Sequence, residues 1–376
     1  MSQAAPSAWE VAIVGAGPAG AACALALARA GVARICLVDP GPATGAAAIA
    51  VGETLPPDAR LLLDRLGLGE AFLDERHEPC LGSCSAWGSA TLGYNDFLLN
   101  PNGSGWHLDR ARFDGFLRRR AVAAGATLFE GARLVDVAAS GRGYRLGLAG
   151  GAVLDSEYVV DASGRSSAFA RRVGARRTPL DRLTFVYGFF DAAGAASQSR
   201  LTLLEAVADG WWYAAGLPGQ RLAVAFAGDS DRVRAGGLGQ DPQWLAEALA
   251  TRHLAKRLDG CRFVAGSLVP RVAASFLLDR VSGPRWLAAG DAAACFDPLA
   301  AQGLYKALAD GLDGAGLIIE ALGRGGDLGE DYAAAARARF EEYRVNRNYF
   351  YGLERRWPGS RFWQRRQARL ELSAAA

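Results

Sequence analysis

The sequence predicts an α/β fold in three parts: a strand–helix–strand domain, an antiparallel sheet domain that interrupts it, and C-terminal helices. Three observations predict this. The chain opens on an apolar run broken by a glycine cluster, carries four short β-rich runs in its middle third, and closes in stretches of helix-forming composition. Its 376 residues are 51% hydrophobic with a net charge of +3, which supplies a large core and excludes disorder.

Val11–Val14 reads as a short buried strand that runs into Gly15-Ala16-Gly17-Pro18-Ala19-Gly20. An alanine-rich helix follows to about Ala30, Gly31 stops it, and Arg34–Val38 is a second strand ending at Asp39. This is a dinucleotide-binding unit. Gly15 permits the tight turn, Gly17 lets the backbone approach a pyrophosphate, and Gly20 lets helix and strand pack closely. The open N–H groups at the helix start attract the phosphates, and the Asp39 carboxylate accepts from ribose hydroxyls.

A later block repeats the theme. Arg285–Ala289 is a strand running into Gly290-Asp291; Phe296-Asp-Pro298-Leu-Ala-Ala-Gln-Gly303 follows, and a long apolar helix starts near Leu304 and ends near Leu322. Asp291 suits either a sugar-alcohol hydroxyl or a helix cap. Between the blocks lie Tyr158–Arg165 and four runs, 183–191, 200–207, 211–217 and 221–227, that read as an antiparallel meander. The expected nucleotide domain comprises 1–80, 106–175 and 265–330. The sheet domain comprises 81–105 and 176–264, and a helical segment covers 331–376.

Charge gives no argument for nucleic acid, and the arginine groups 118–120 and 171–177 read as solvated faces. The first ten residues lack a basic and apolar leader, and arginines, glycines and Pro18 break the only long apolar stretch, so no membrane span is expected. Six cysteines without framework spacing suggest reduced thiols in a cytoplasmic protein and no metal site.

Four elements in this order resemble the FAD-dependent monooxygenases of the aromatic-hydroxylase fold: Gly15–Gly20, Leu108-Asp-Arg110-Ala-Arg-Phe113, Asp161-Ala-Ser-Gly164 and Gly290-Asp291. Val51-Gly-Glu53-Thr-Leu-Pro56, the Asp-Ala-Ser-Gly-Arg form of the third motif, and Asp297-Pro298-Leu299 resemble the flavin-dependent tryptophan halogenase superfamily. Gly210–Pro218 and Glu354-Arg-Arg-Trp-Pro look closer to its branch of flavoprotein maturases for tryptophylquinone-bearing amine and amino-acid oxidases. The resemblance implies FAD, with Gly15, Ala16, Gly17, Pro18, Ala19 and Gly20 around the pyrophosphate and Asp39 on the adenosine ribose. It places Arg110 along the cofactor, Gly290 and Asp291 on the ribityl chain, and Pro298, Gly303 and Leu304 beside the isoalloxazine. Glu53 lies in the strap beside the flavin and is the candidate proton-handling residue. Trp211, Trp212 and Tyr213 are candidates to line the substrate pocket by stacking, or to be core.

The same resemblance separates two chemistries. Halogenases of this superfamily carry a lysine shortly after the Gly-Glu segment and a glutamate in the run corresponding to Pro298–Gly303. Here the only lysines are Lys256 and Lys306, and the glutamate position is Ala300. The reading is therefore a monooxygenase acting through a hydroperoxide on the flavin, hydroxylating a tryptophan or indole, free or within a peptide or protein subunit. The flavin is reduced by NAD(P)H directly or by a separate flavin reductase partner. A halogenase in which Lys306 substitutes, an alkene reductase and a non-catalytic escort of an oxidase subunit are the other readings.

Overall fold

The computed structural model describes residues 8–41, 53–141, 143–195, 199–324, 328 and 330–374. Val51 and Gly52 of the strap motif lie outside them. Five strands form the core of an eight-stranded sheet: Trp286–Ala288, Val153–Asp161, Trp9–Val14, Ile35–Asp39 and Thr127–Glu130, adjacent in that order and mutually parallel. Val14 pairs with both Asp161 and Val38, and Asp161 pairs with Ala288, so these strands all end along one edge. Near-continuous apolar strands such as Val11–Val14 are what a sheet covered on both faces requires.

The first helix, Pro18–Arg29, crosses the long helix Gly303–Arg324 at close range because both present small residues there. A Cβ on Gly311 would lie 2.5 Å from the Ala19 carbonyl oxygen. The long helix and its successor, Glu330–Leu353, sit where the sequence predicts helices. A last helix, Arg361–Ala374, follows.

The second eight-stranded sheet contains the predicted runs as Leu183–Asp191, Arg221–Asp229, Gly210–Leu217 and Leu201–Val207, antiparallel in that spatial order. It is not wholly antiparallel, because Gly82–Ala86 adds to its edge parallel to Leu201–Val207. Successive side chains on a strand point to opposite faces. One face, with Val186, Trp212, Val224 and Phe226, packs on the helix Asp241–Leu249 through Trp244. The other, with Phe185, Tyr187, Trp211 and Ala225, packs on Tyr351 and Trp363 of the C-terminal helices.

Candidate functional site

At the carboxyl ends of the parallel strands a cavity of about 1860 Å³ opens, bounded on its far side by the second sheet. The glycine loop forms its floor. Gly15 takes φ +108°, and a Cβ there would lie 2.3 Å from the Ala162 carbonyl oxygen. A Cβ on Gly20 would lie 1.9 Å from the Gly15 carbonyl oxygen, which explains why helix and turn can close on each other. A Cβ on Gly17 would meet no protein atom within 4 Å, because that residue faces the cavity. No side chain caps the helix that starts at Pro18, so its first-turn N–H groups are open to the same space.

Asp39 also lines the cavity, and its oxygens are partly engaged: Oδ2 accepts from the Ala16 N–H at 2.7 Å and Oδ1 from the Gly41 N–H at 2.8 Å. A carboxylate accepts about four hydrogen bonds, so it can hold the loop and a ribose together. Arg110 opens the helix Arg110–Ala123, pairs with Asp114 at 3.2 Å and reaches the wall. Pro18, Ala19, Asp291, Pro298, Gly303 and Leu304 line the cavity too. Ala16, Gly20 and Gly290 lie buried beneath it, and the Gly290 N–H donates to Asp310 Oδ2 at 2.9 Å.

Lys306 is buried behind the Gly290–Asp291 turn. Its Nζ stands 3.7 Å from Asp291 Oδ1 and from Asp310 Oδ2, and 5.2 Å from the centre of the Phe296 ring. It balances two carboxylates, and among the described residues no lysine lines the cavity. Asp161 is buried as well. Its Oδ2 accepts from the Phe169 and Ala170 N–H groups at 2.9 and 2.7 Å, and Oδ1 accepts from Ser163. It therefore anchors a helix start, while Ser163 and Gly164 after it reach the cavity.

Of the three aromatic candidates, the structure brings only Tyr213 to the cavity. Trp212 points to the opposite face of its strand, 5.2 Å from Trp244 between ring centres. Trp211 shares the face of Tyr213 but is sealed under Trp87 and Phe185, and its Nε1–H donates to the Tyr351 hydroxyl at 3.1 Å. Both tryptophans are core, for the reason of strand alternation and of the helices laid over that end of the sheet.

Glu53 is 2% exposed and lines the cavity, and its Oε2 accepts from the Tyr213 hydroxyl at 3.3 Å. A chain of hydrogen bonds continues inward. Tyr213 Oη meets Thr54 Oγ1 at 3.1 Å, Thr54 meets Thr202 Oγ1 at 3.4 Å, and Thr202 meets His107 Nε2 at 2.9 Å. Each hydroxyl has one proton to donate, so its direction is set by the far end. With Glu53 ionised and accepting, Tyr213 accepts from Thr54, Thr54 from Thr202, and Thr202 from a proton on His107 Nε2. Sequence reasoning missed this chain because its members are scattered over 160 positions; only strand pairing brings Thr54 beside His107. His77, the other histidine near the site, accepts from the Asp109 N–H at 3.3 Å through Nδ1 and leans on Phe72, which is a structural role.

A family model described as FAD binding domain matches residues 8–347. The chain belongs to the FAD-binding domain family. Its cofactor is FAD, and the open seat above Gly17, the uncapped helix start and the Asp39 carboxylate fit the pyrophosphate and ribose of that cofactor. Across the family's breadth, the chain is 27% identical over 376 residues to a putative FAD-dependent oxidoreductase, LodB, of Marinomonas mediterranea, covering 98% of this chain and 99% of that one. Among solved structures it superposes on the myxobacterial chondrochloren halogenase CndH with a TM-score of 0.86 at 21% identity, covering 98% and 89% of the two chains. It superposes on the peptidyl tryptophan dihydroxylase QhpG with a TM-score of 0.71 at 25% identity, covering 96% and 79%. Among the described residues no helix is long and apolar enough to cross a membrane.

Burial pushes the His107 imidazole down to about 4 from 6.5, and the nearby Arg257 charge adds to the effect. Below pH 6.5 the unfolded chain binds a proton that the folded chain refuses until about pH 4. Folding stability from this residue is therefore complete above pH 6.5 and is lost as the pH falls to 4, by about 3 kcal/mol. Urea midpoints measured across this range should fall more steeply for the native sequence than for His107→Gln. Equal slopes would place the imidazole in contact with water.

Proposed function

We propose that this FAD-dependent protein is a monooxygenase that inserts oxygen into an electron-rich aromatic ring, a tryptophyl side chain of a polypeptide. The observation that carries the reading is Glu53: a buried carboxylate on the cavity wall, hydrogen-bonded to Tyr213 and to a chain of hydroxyls, in a cavity that no described lysine enters. Two relatives support it. LodB is named a putative FAD-dependent oxidoreductase, and QhpG a peptidyl tryptophan dihydroxylase.

Bound FAD supplies the activation of O₂. The protein's own residues do the rest. Gly15 to Ala19, Asp39 and Arg110 would hold the nucleotide half, and Asp291 with the loop from Pro298 to Leu304 would hold the flavin half. Tyr187 is buried and Tyr213 partly buried, and burial together with the Glu53 charge holds both hydroxyls far above their usual range, so neither ionises. Tyr213 stays a donor to Glu53 Oε2 and fixes that carboxylate against the cavity. Glu53 then takes the proton that the ring carbon releases as oxygen is added, and an indole needs little more help, being electron-rich already. The three-residue chain to His107 keeps the Tyr213 hydroxyl pointed at Glu53.

The test uses the FAD-loaded protein, reduced without oxygen and then exposed to O₂ with tryptophan-containing peptides and free tryptophan. Mass spectrometry should find one or two oxygen atoms added to the peptide. Glu53→Gln should retain FAD and lower the rate of addition about a hundredfold. Addition of chlorine or bromine when halide is present would establish a halogenase, the second reading, which the fold shared with CndH favours. Turnover without oxygen would establish a reductase.

A further inference from the structure

Five arginines between 165 and 177 stand on the cavity wall with no carboxylate counter-ion among the described residues. Arg165, Arg171, Arg172, Arg176 and Arg177 all line the cavity. Three of the side chains donate to carbonyl oxygens: Arg165 to Ala274 at 2.6 Å, Arg172 to Val135 and Ala168 at 3.1 and 2.7 Å, and Arg177 to Arg165. Among the described residues no carboxylate forms an ion pair with any of the five guanidinium groups, although Asp279 Oδ1 accepts from the Arg176 backbone N–H at 2.8 Å. Elsewhere the protein pairs its arginines readily, as Arg110 with Asp114, Arg232 with Glu247, and Arg365 with Asp229.

Arg165 and Arg177 lie over one ring, with guanidinium carbons 5.6 and 5.2 Å from the centre of Phe276. Burial and the like charges of Arg171 and Arg165 hold the Arg177 guanidinium below its usual range. Two half-buried cations on one aromatic face, with three exposed ones leading to them, make a row that runs from solvent into the cavity. Crowding like charges without an anion costs free energy, and the cost is recovered when carboxylates arrive. Each planar guanidinium fork matches the two oxygens of one carboxylate, so five forks in a row suit several carboxylates in series more than one compact group. At about 1860 Å³ the cavity exceeds the roughly 300–1,000 Å³ of ordinary small-ligand sites, which leaves room beside a cofactor.

We propose that Arg165, Arg171, Arg172, Arg176 and Arg177 form a docking row for an acidic segment of a protein partner, which enters the cavity mouth beside FAD. The inference deepens the reading of a polypeptide substrate by stating the charge that such a substrate carries next to its reacting ring. It also changes the expectation for Arg171, Arg172 and Arg176: they are exposed, yet they serve the cavity.

The test is binding, read apart from turnover. Fluorescein-labelled decaglutamate is titrated with the FAD-loaded protein and followed by anisotropy. The native protein should bind it, and raising ionic strength from about 0.05 to about 0.2 M should weaken binding about tenfold. Arg171→Glu/Arg176→Glu should lose binding about tenfold or more while keeping its FAD absorbance. Arg60→Glu/Arg324→Glu, with the same change in net charge at exposed positions off the cavity, should bind as the native protein does. If the charge-reversed pair at 171 and 176 fails to fold, Arg171→Gln/Arg176→Gln takes its place.

No binding by the native protein, or equal loss in both double variants, overturns the row. NADPH reduction of the bound flavin that fails in the 171/176 variant, with peptide binding intact, also overturns it and makes the row a nucleotide site. Peptide binding as expected, with no oxygen added to any tryptophan peptide, keeps the row and removes the monooxygenase reading.

Discussion

Gly17→Val should fold normally and emerge from purification without FAD. Gly17 has φ −73°, a conformation any residue adopts, and a Cβ at this position touches no protein atom within 4 Å. The new side chain would occupy the space above the helix start, where the pyrophosphate is expected to sit. Pushing the phosphates off that seat removes charge-assisted hydrogen bonds worth about 1.5 kcal/mol or more each. Three such bonds make about 4.5 kcal/mol, a loss of affinity of more than about a thousandfold. Gly20→Val is the contrasting variant. Its Cβ would lie 1.9 Å from the Gly15 carbonyl oxygen, so it should lower the urea midpoint even without FAD. A Gly17→Val protein that keeps its yellow colour would show that the cofactor lies elsewhere.

Arg347→Ala should cost about 3–5 kcal/mol of stability, measured by urea unfolding. Arg347 is 5% exposed, and its guanidinium joins two carboxylates: Nη2 donates to Asp181 at 2.7 Å and Nε to Asp297 at 3.3 Å. Burial pushes the Asp297 carboxyl up, and Arg347 opposes that push. Asp297 also accepts from the Tyr351 hydroxyl at 2.8 Å and from the Leu299 N–H at 3.0 Å, at the entrance to the loop that borders the cavity. Removing the cation leaves Asp297 in the interior with neutral donors only, which forces it to bind a proton. The variant should therefore lose more stability at pH 8 than at pH 5. A uniform small loss would mean that Asp297 is already neutral in the native protein.

The parts of the fold legible in the sequence are those with local causes. The glycine loop needs no tertiary information: Gly15 must take a positive φ, Gly20 must lack a Cβ, and both demands fall within six residues of an apolar strand. The long helix at 303–324 was equally plain, since its apolar stripe and terminal glycines are adjacent in the chain. The site was legible only on its cofactor side for the same reason. Trp212 and Tyr213 are neighbours in sequence and sit on opposite faces of a sheet, so their chemistry depends on which face meets the cavity. The hydroxyl chain from Glu53 to His107 joins strands of two different sheets, and no local pattern encodes it. The tail mixes local and distant causes: Arg344 pairs with Glu341 three positions before it, and Arg356 with Glu354, which in turn accepts from the distant Gly88 N–H.

The alternation on strands 183–191 and 210–217 makes the shape of the cavity wall separable from the packing behind the sheet. Phe185, Tyr187 and Tyr213 face the cavity, whereas Val186 and Trp212 support the helix behind the sheet. A library that randomises Phe185, Tyr187 and Tyr213 alone would sample new aromatic acceptors, while Trp211 and the other register hold the scaffold. Exchanging one ring for another at these three positions would leave untouched the half of the molecule that carries the glycine loop.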